Sequence, residues 1–272
     1  MTSCTLTRQS SNLTACPTVA YTRPMVTQSS APGHIARGKS AGATDLIIER
    51  RHRMVQRFVS GRTGTLLDFG CGTGTQTLLF AGEFDRIVGV DVDAPSIGKF
   101  RDAIARLGLS GRVEAIEYDG RTIPLADATA DFAISFEVLE HVLDERRALE
   151  ELHRVLRPGA RLAMSVPNRW WVFETHGAAL PLLKWNRVPF FSWLPKPLHD
   201  RWARARIYSR REIVRKLRSA GFETDASMYI TAPMDVVSNP RIQSVLRTLI
   251  FRGDRTAIPF LSTAVLVIAS RK

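Results

Sequence analysis

The sequence predicts an α/β protein, a seven-stranded, mostly parallel sheet with helices on both faces. Three observations carry that expectation. From Thr65 onward, short apolar runs alternate with segments of helical period. The first run leads straight into three glycines, Gly70, Gly72 and Gly74, within "LLDFGCGTGTQT". The next two runs close on carboxylates, Asp91 and Asp119.

Taken in order, "DLIIERRHRMVQRFVS" puts Leu46, Ile47, Met54, Val55 and Phe58 near helical spacing before a Gly61 stop. The ordered domain is therefore expected over 45–272, behind a disordered tail over 1–44. Strands are expected over 65–69, 86–92, 112–119, 131–136, 161–167, 222–230 and 263–270. Helices are expected over 75–82, 95–108 and 145–159, and from a capping box of Ser209 and Glu212 to Gly221.

With 272 residues, 44% hydrophobic and 24% charged, the chain is globular in class and can bury a full core. Its longest apolar run, Ala257 to Ser270, is broken by Pro259, Ser262 and Thr263 and is too short for a bilayer span. Cys4 and Cys16 fall in the tail and Cys71 in the glycine loop, which gives neither a disulfide framework nor a zinc signature. A reducing, cytoplasmic compartment is expected. The tail has six Ser, seven Thr and four Lys/Arg in its first forty residues and no acid, a composition that also loosely resembles a transit peptide, with Met25 as an alternative start.

The net charge of +12 sits in one half of the chain. Residues 1–150 hold seventeen Lys/Arg against eighteen Asp/Glu, whereas 151–272 hold twenty-one against eight. Arg201 to Arg218 alone contains eight cations and one Glu. Such density marks either a solvated helix face or a surface that meets phosphate, anionic lipid or nucleic acid.

Glycines at the carboxyl end of the first strand let the backbone turn sharply and approach a ligand in the crevice of such a sheet. Asp91 is placed to accept both hydroxyls of a ribose, and Asp119 to reach an adenine amino group, so a nucleoside-bearing cofactor is expected. Two cofactors compete. A dinucleotide fingerprint requires G-x-G-x-x-G, but here Gly74 comes one residue early and Thr75 stands where Gly or Ala is wanted. The ordered set "LLDFGCGTG", "VGVDVD", "YDG", "DFAISFEVLEHV" and "LRPGARLAMSVPN" resembles the class I S-adenosylmethionine-dependent methyltransferases of the type 11 domain, from Thr65 to Asn168. The resemblance implies a Rossmann-like fold. It places Gly70, Cys71 and Gly72 against the methionine part of S-adenosylmethionine and counts Asp68, just before them, among the cofactor-binding residues. Asp91 would hold the ribose, Val92 would stack on the adenine, Asp119 and Gly120 would line its polar edge, and Phe136 and Glu137 would lie near the sulfonium.

"FEVLEHV" sets Glu137, Glu140 and His141 at i, i+3 and i+4, which on a helical turn gathers two carboxylates and an imidazole. These are the catalytic candidates, able to furnish a base or hold a divalent cation such as magnesium. The E-x-x-E-H spacing resembles the ubiquinone-biosynthesis O-methyltransferases and the small-RNA 2′-O-methyltransferases. The alternative is that His141 hydrogen-bonds backbone or orients the acceptor without metal. His176 would add a nitrogen ligand if its connection folds back.

Residues 168–206 form an insertion after the fifth strand, holding all five tryptophans and a basic end. It reads as a pocket lid or as an interfacial anchor for a peripheral membrane contact, with Trp170, Trp171, Trp185, Phe190, Phe191 and Trp193 beside Arg187 and Lys196. The function expected is methyl transfer to a hydroxyl of a hydrophobic or lipid-linked small molecule. RNA methylation and a non-catalytic cofactor-binding module are the alternatives, the former without a recognisable RNA-binding module.

Overall fold

The computed structural model describes residues 45–59, 61, 64–173, 176–177, 188–235 and 237–272. The expected tail, Trp185 and Arg187 lie outside the described residues.

Eight strands form one sheet: β1 (Thr65–Phe69), β2 (Arg86–Asp91), β3 (Val113–Glu117), β4 (Ala130–Phe136), β5 (Leu156–Pro167), β6 (Phe222–Thr231), β7 (Arg255–Thr256) and β8 (Ser262–Arg271). Their order is β3-β2-β1-β4-β5-β8-β6-β7. β1 to β5 pair in parallel, and β8 runs antiparallel between β5 and β6. The strand order reverses between β1 and β4, the switch point at which an open α/β sheet forms its ligand crevice.

Side chains alternate across the sheet, and both faces are buried. Leu67, Phe69, Val265 and Val267 join one core cluster, packed with Leu149 and Leu152 of α3 (Glu145–Val155) and Ile213 and Leu217 of α5 (Arg210–Ser219). Leu66, Ile134, Leu266 and Ile268 join the other, with Met54 and Val55 of α1 (Leu46–Gln56) and Ile97 and Phe100 of α2 (Ala94–Arg106). The Ser209 hydroxyl accepts from the Glu212 amide at 3.2 Å, as a capping box requires.

Four expectations change. The sheet has eight strands, because Arg255 and Thr256 pair with the end of β6 as a two-residue edge strand. The helix expected over 75–82 is a 3-10 turn, Thr77–Phe80, held between the glycine loop and Gly82. The helix expected to reach residue 159 stops at Val155, since Pro158 favours extended backbone before it and 156–159 already belong to β5. Two helices were not expected. α4 (Lys196–Trp202) lies in the insertion. α6 (Pro240–Leu249) opens with Asn239 accepting from the Arg241 and Ile242 amides and Pro240 in its first turn, a start signal present in the sequence. No helix among the described residues is long and apolar enough to cross a membrane.

Candidate active site

The loop after β1 crosses the switch point with positive φ at Gly70, Gly72 and Gly74. Two of these glycines are also demanded by packing. A Cβ at Gly70 would stand 2.3 Å from Val138 Cγ2, and one at Gly74 would stand 2.0 Å from the Phe100 ring. The loop is tied to its neighbours by backbone: the Gly70 amide donates to Val90 O at 2.8 Å and the Cys71 amide to the same oxygen at 3.1 Å. Cys71 is buried, and burial together with Asp68 and Asp91 pushes its thiol far up, so it stays protonated.

Asp91, at the end of β2, organises the crevice. Its Oδ2 accepts from the Gly72 amide at 2.8 Å and its Oδ1 from the Asp93 amide at 2.9 Å, which leaves each oxygen a further lone pair. Beyond it, Val92 is 42% exposed, an apolar shelf opposite Gly120, where a Cβ would come within 3.4 Å of Val92 Cγ1. The Asp119 carboxylate accepts from the Thr122 and Arg121 amides, at 3.0 and 2.8 Å, and those bonds hold it below the usual carboxylate range. Asp68 behaves differently. It is buried under the loop and accepts from the Thr77 hydroxyl at 2.5 Å, and burial with Asp91 nearby raises it to about 7.

The expected helical turn after β4 is divided. Glu137 takes φ 59, outside the 3-10 turn Leu139–His141, so its side chain leaves in another direction from those of Glu140 and His141. Glu137 Oε1 pairs with Arg51 at 2.8 Å and accepts from the Ser165 hydroxyl at 3.2 Å. Arg51 also lies 5.8 Å from the centroid of the Phe136 ring, at the end of β4. Glu140 is fully buried, and among the described residues neither of its carboxylate oxygens meets a hydrogen-bond donor. What it faces is imidazole: His176 Nε2 stands 3.5 Å from Glu140 Oε1 and His141 Nε2 3.9 Å away, and the two rings meet edge to face at 4.9 Å. Burial, then the Glu137 charge, raises the Glu140 carboxyl well above its usual range. Ligand atoms of Glu140, His141 and His176 all lie within 4.8 Å of one another, and Glu137 is not among them.

Sequence reasoning missed Arg51. Its signal was in place: Arg50 and Arg51 precede Met54 by four and three residues, on the stripe of α1 that faces the core. A cation on such a stripe needs a partner, and Arg51 has Glu137.

This sheet order defines a Rossmann-like fold, a class in which ligands bind outside the carboxyl ends of the strands at the switch point. Residues 67–164 match the family model described as Methyltransferase domain. Among curated relatives, the chain is 29% identical over 181 residues to "Probable S-adenosylmethionine-dependent methyltransferase" of Mycolicibacterium smegmatis, covering 66% of this chain and 60% of the relative. It is 33% identical over 138 residues to the ubiquinone/menaquinone biosynthesis C-methyltransferase UbiE of Klebsiella pneumoniae, covering 47% of this chain and 55% of that one. Over 101 residues it is 37% identical to the O-methyltransferase cnsE of Penicillium expansum, 37% of each chain. The chain thus spans from 37% to 60% of the length of these relatives. Solved structures of the same fold include a SAM-dependent methyltransferase from Aquifex aeolicus (TM-score 0.53, 18% identity, 80% of this chain and 88% of that one). Another is the [4+2]-cyclase SpnF (TM-score 0.56, 20% identity, 82% and 81%), so the fold by itself does not fix the chemistry. Residues 67–164 are thus a methyltransferase domain, and the fold around them is one that S-adenosylmethionine-dependent methyltransferases share.

Proposed function

We propose that the protein transfers a methyl group from S-adenosylmethionine to a hydroxyl of a hydrophobic or lipid-linked small molecule. The observation that carries the donor half is Asp91, a carboxylate at the end of β2 that is tied to the glycine loop by the Gly72 amide and keeps a lone pair on each oxygen. In this reading two ribose hydroxyls donate to Asp91, the adenine stacks on Val92 against Gly120, and Asp119 with its ordered turn borders the adenine edge. Gly70 and Gly72, with buried Cys71 between them, give the methionine part a backbone wall, and Asp68 braces that wall through Thr77. Phe136 and the Arg51–Glu137 pair lie at the end of β4 on the sulfonium side.

The acceptor half rests on Glu140, His141 and His176. A buried carboxylate that meets no donor among the described residues, beside two imidazoles, has the donor chemistry of a divalent-cation site such as one for magnesium or zinc, and these three residues would hold the ion. The ion would lower the pKa of a hydroxyl bound beside it. Without an ion, the same imidazoles stand where a base could accept the hydroxyl proton while donor and acceptor are held in line. In this reading the insertion roofs the site, and Trp170, Phe190 and Trp193, all exposed, support an amphiphilic acceptor presented at a membrane surface. Phe191, expected to share that role, is buried instead and packs 5.2 Å from the His199 ring, so it belongs to the lid.

A second reading is methyl transfer to carbon. It is favoured by the UbiE relative and by the shared fold of a Streptomyces coelicolor geranyl diphosphate C-methyltransferase (TM-score 0.56, 16% identity, 82% of this chain and 77% of that one).

Calorimetry tests the donor half. The expected outcome is binding of S-adenosylmethionine in the micromolar range and none of NAD, with Asp91→Ala weakening it by about 1.5–3 kcal/mol, the worth of hydrogen bonds to a charged group. Tight NAD binding overturns the reading. A chelator arm separates the two chemistries at Glu140: with a metal there, turnover stops and returns on adding divalent ion while cofactor binding is untouched. Full turnover in excess chelator leaves His141 and His176 as bases or positioning groups.

A further inference from the structure

Of the α-helices described, α6 is the one with no buried residue. Ile242, Val245 and Leu249 recur at i, i+3 and i+7 on one stripe, and all are exposed, Leu249 by 75%. Leu246, on the inner edge of that stripe, packs onto the small core of Trp171, Ala232 and Phe251, which fixes the helix in place and turns the stripe outward. The same core joins a second apolar ridge. Trp171 packs 6.2 Å from Phe251, while its neighbour Trp170 meets Phe260 at 5.9 Å and Trp193 meets Phe260 at 5.4 Å.

The rim of this surface is cationic. Residues 239–260 contain four arginines and one carboxylate, and that carboxylate, Asp254, is held by Arg53 at 2.7 Å. Arg241, Arg252 and Arg255 are exposed. A second copy of this chain seated here by a two-fold contact would bring the same arginines against each other. An anionic bilayer meets both parts, burying the apolar stripe at the headgroup boundary and neutralising its rim.

We infer that α6, with the 3-10 turn Pro259–Leu261, is a docking surface for anionic phospholipid bilayers, distinct from the insertion and independent of methyl transfer. The helix lies along the interface, with Ile242, Val245 and Leu249 in the acyl boundary and Arg241 and Arg252 at headgroup level. The insertion's Trp170 and Trp193 reach the same plane through Phe260.

The test is sedimentation with vesicles of phosphatidylglycerol and phosphatidylcholine, against vesicles of phosphatidylcholine alone, at low and high salt. The full chain is expected to sediment with the anionic vesicles, less so at high salt. The pair Val245→Ser with Leu249→Ser is expected to lower vesicle affinity at least tenfold, and Arg241→Glu with Arg252→Glu to remove the preference for anionic lipid. All four positions are exposed, and an unchanged melting midpoint shows that the fold is kept. The inference is overturned by a wild type that ignores anionic vesicles at low salt, or by α6 variants that sediment as wild type does. It is equally overturned if only Trp170→Ser with Trp193→Ser lowers binding, which leaves the insertion as the sole anchor. A wild-type dimer without lipid that the Val245/Leu249 variant dissociates, with vesicle binding unaltered, assigns the face to a second copy instead.

Discussion

Asp68 and Asp91 sit on neighbouring strands, yet their surroundings drive them to opposite tasks. Asp91 is partly open and satisfied by two amides, so it stays available to a ligand. Asp68 is buried with one hydroxyl, and folding raises its pKa from 3.8 to about 7. A carboxyl raised on folding prefers its protonated form in the native state. Its contribution to stability is therefore full below the unfolded pKa near 3.8 and is lost as pH rises through about 7. The loss is of the order of 4 kcal/mol. Asp68→Asn keeps an oxygen for the Thr77 hydroxyl and carries no charge, so the variant should show a flatter decline in stability between about pH 4 and 7. Urea unfolding of both proteins across that range checks this, and parallel curves would show that the Asp68 charge is compensated in the fold. A sequence pattern shows that both aspartates lie at or near the end of a strand; it does not show depth, and depth is what separates them, Asp68 being buried and Asp91 partly open.

At the scale of elements, the glycine loop and the turn after β4 are one packed unit. The space that a Cβ at Gly70 would fill is occupied by Val138. Gly70→Ala should destabilise by roughly 2–5 kcal/mol, combining left-handed backbone strain with overpacking. Trimming the neighbour, Val138→Ala, in the Gly70→Ala background should recover the overpacking part and leave the strain. Thermal unfolding of the two single variants and the double variant measures this, and additive losses would show that the contact does not matter. The loop, the strand alternation and the Ser209 cap were legible because each depends on neighbours a few residues apart. The division of the E-x-x-E-H turn was not. Spacing alone puts Glu137 with Glu140 and His141, but φ 59 at Glu137 and the call of Arg51 from α1, eighty-six positions earlier, turn it away. His176 joins the group through a long connection, which periodicity cannot follow. α6 failed for a different reason: its Asn239-Pro240 start was readable, but an apolar stripe with no core to face gives no burial argument.

For the whole molecule, α1 is the part that depends on everything else. Arg51 holds Glu137 beyond β4, while its neighbour Arg50 donates to Thr231 O at 2.7 Å, Ala232 O at 2.9 Å and Phe251 O at 3.0 Å. Those carbonyls lie 181 to 201 residues further along the chain. A ribosome adding about 5–20 residues per second exposes α1 for roughly 10–40 s before they exist. During that interval Arg50 has water for its partner, whereas Glu137 is already there for Arg51. Hydrogen exchange on stalled chains ending before residue 231 should find α1 amides unprotected, with protection appearing once residue 251 has emerged; early protection would mean that Glu137 alone suffices to dock it. The first of the described helices is thus completed last, since the carbonyls that hold Arg50 belong to the far end of the chain.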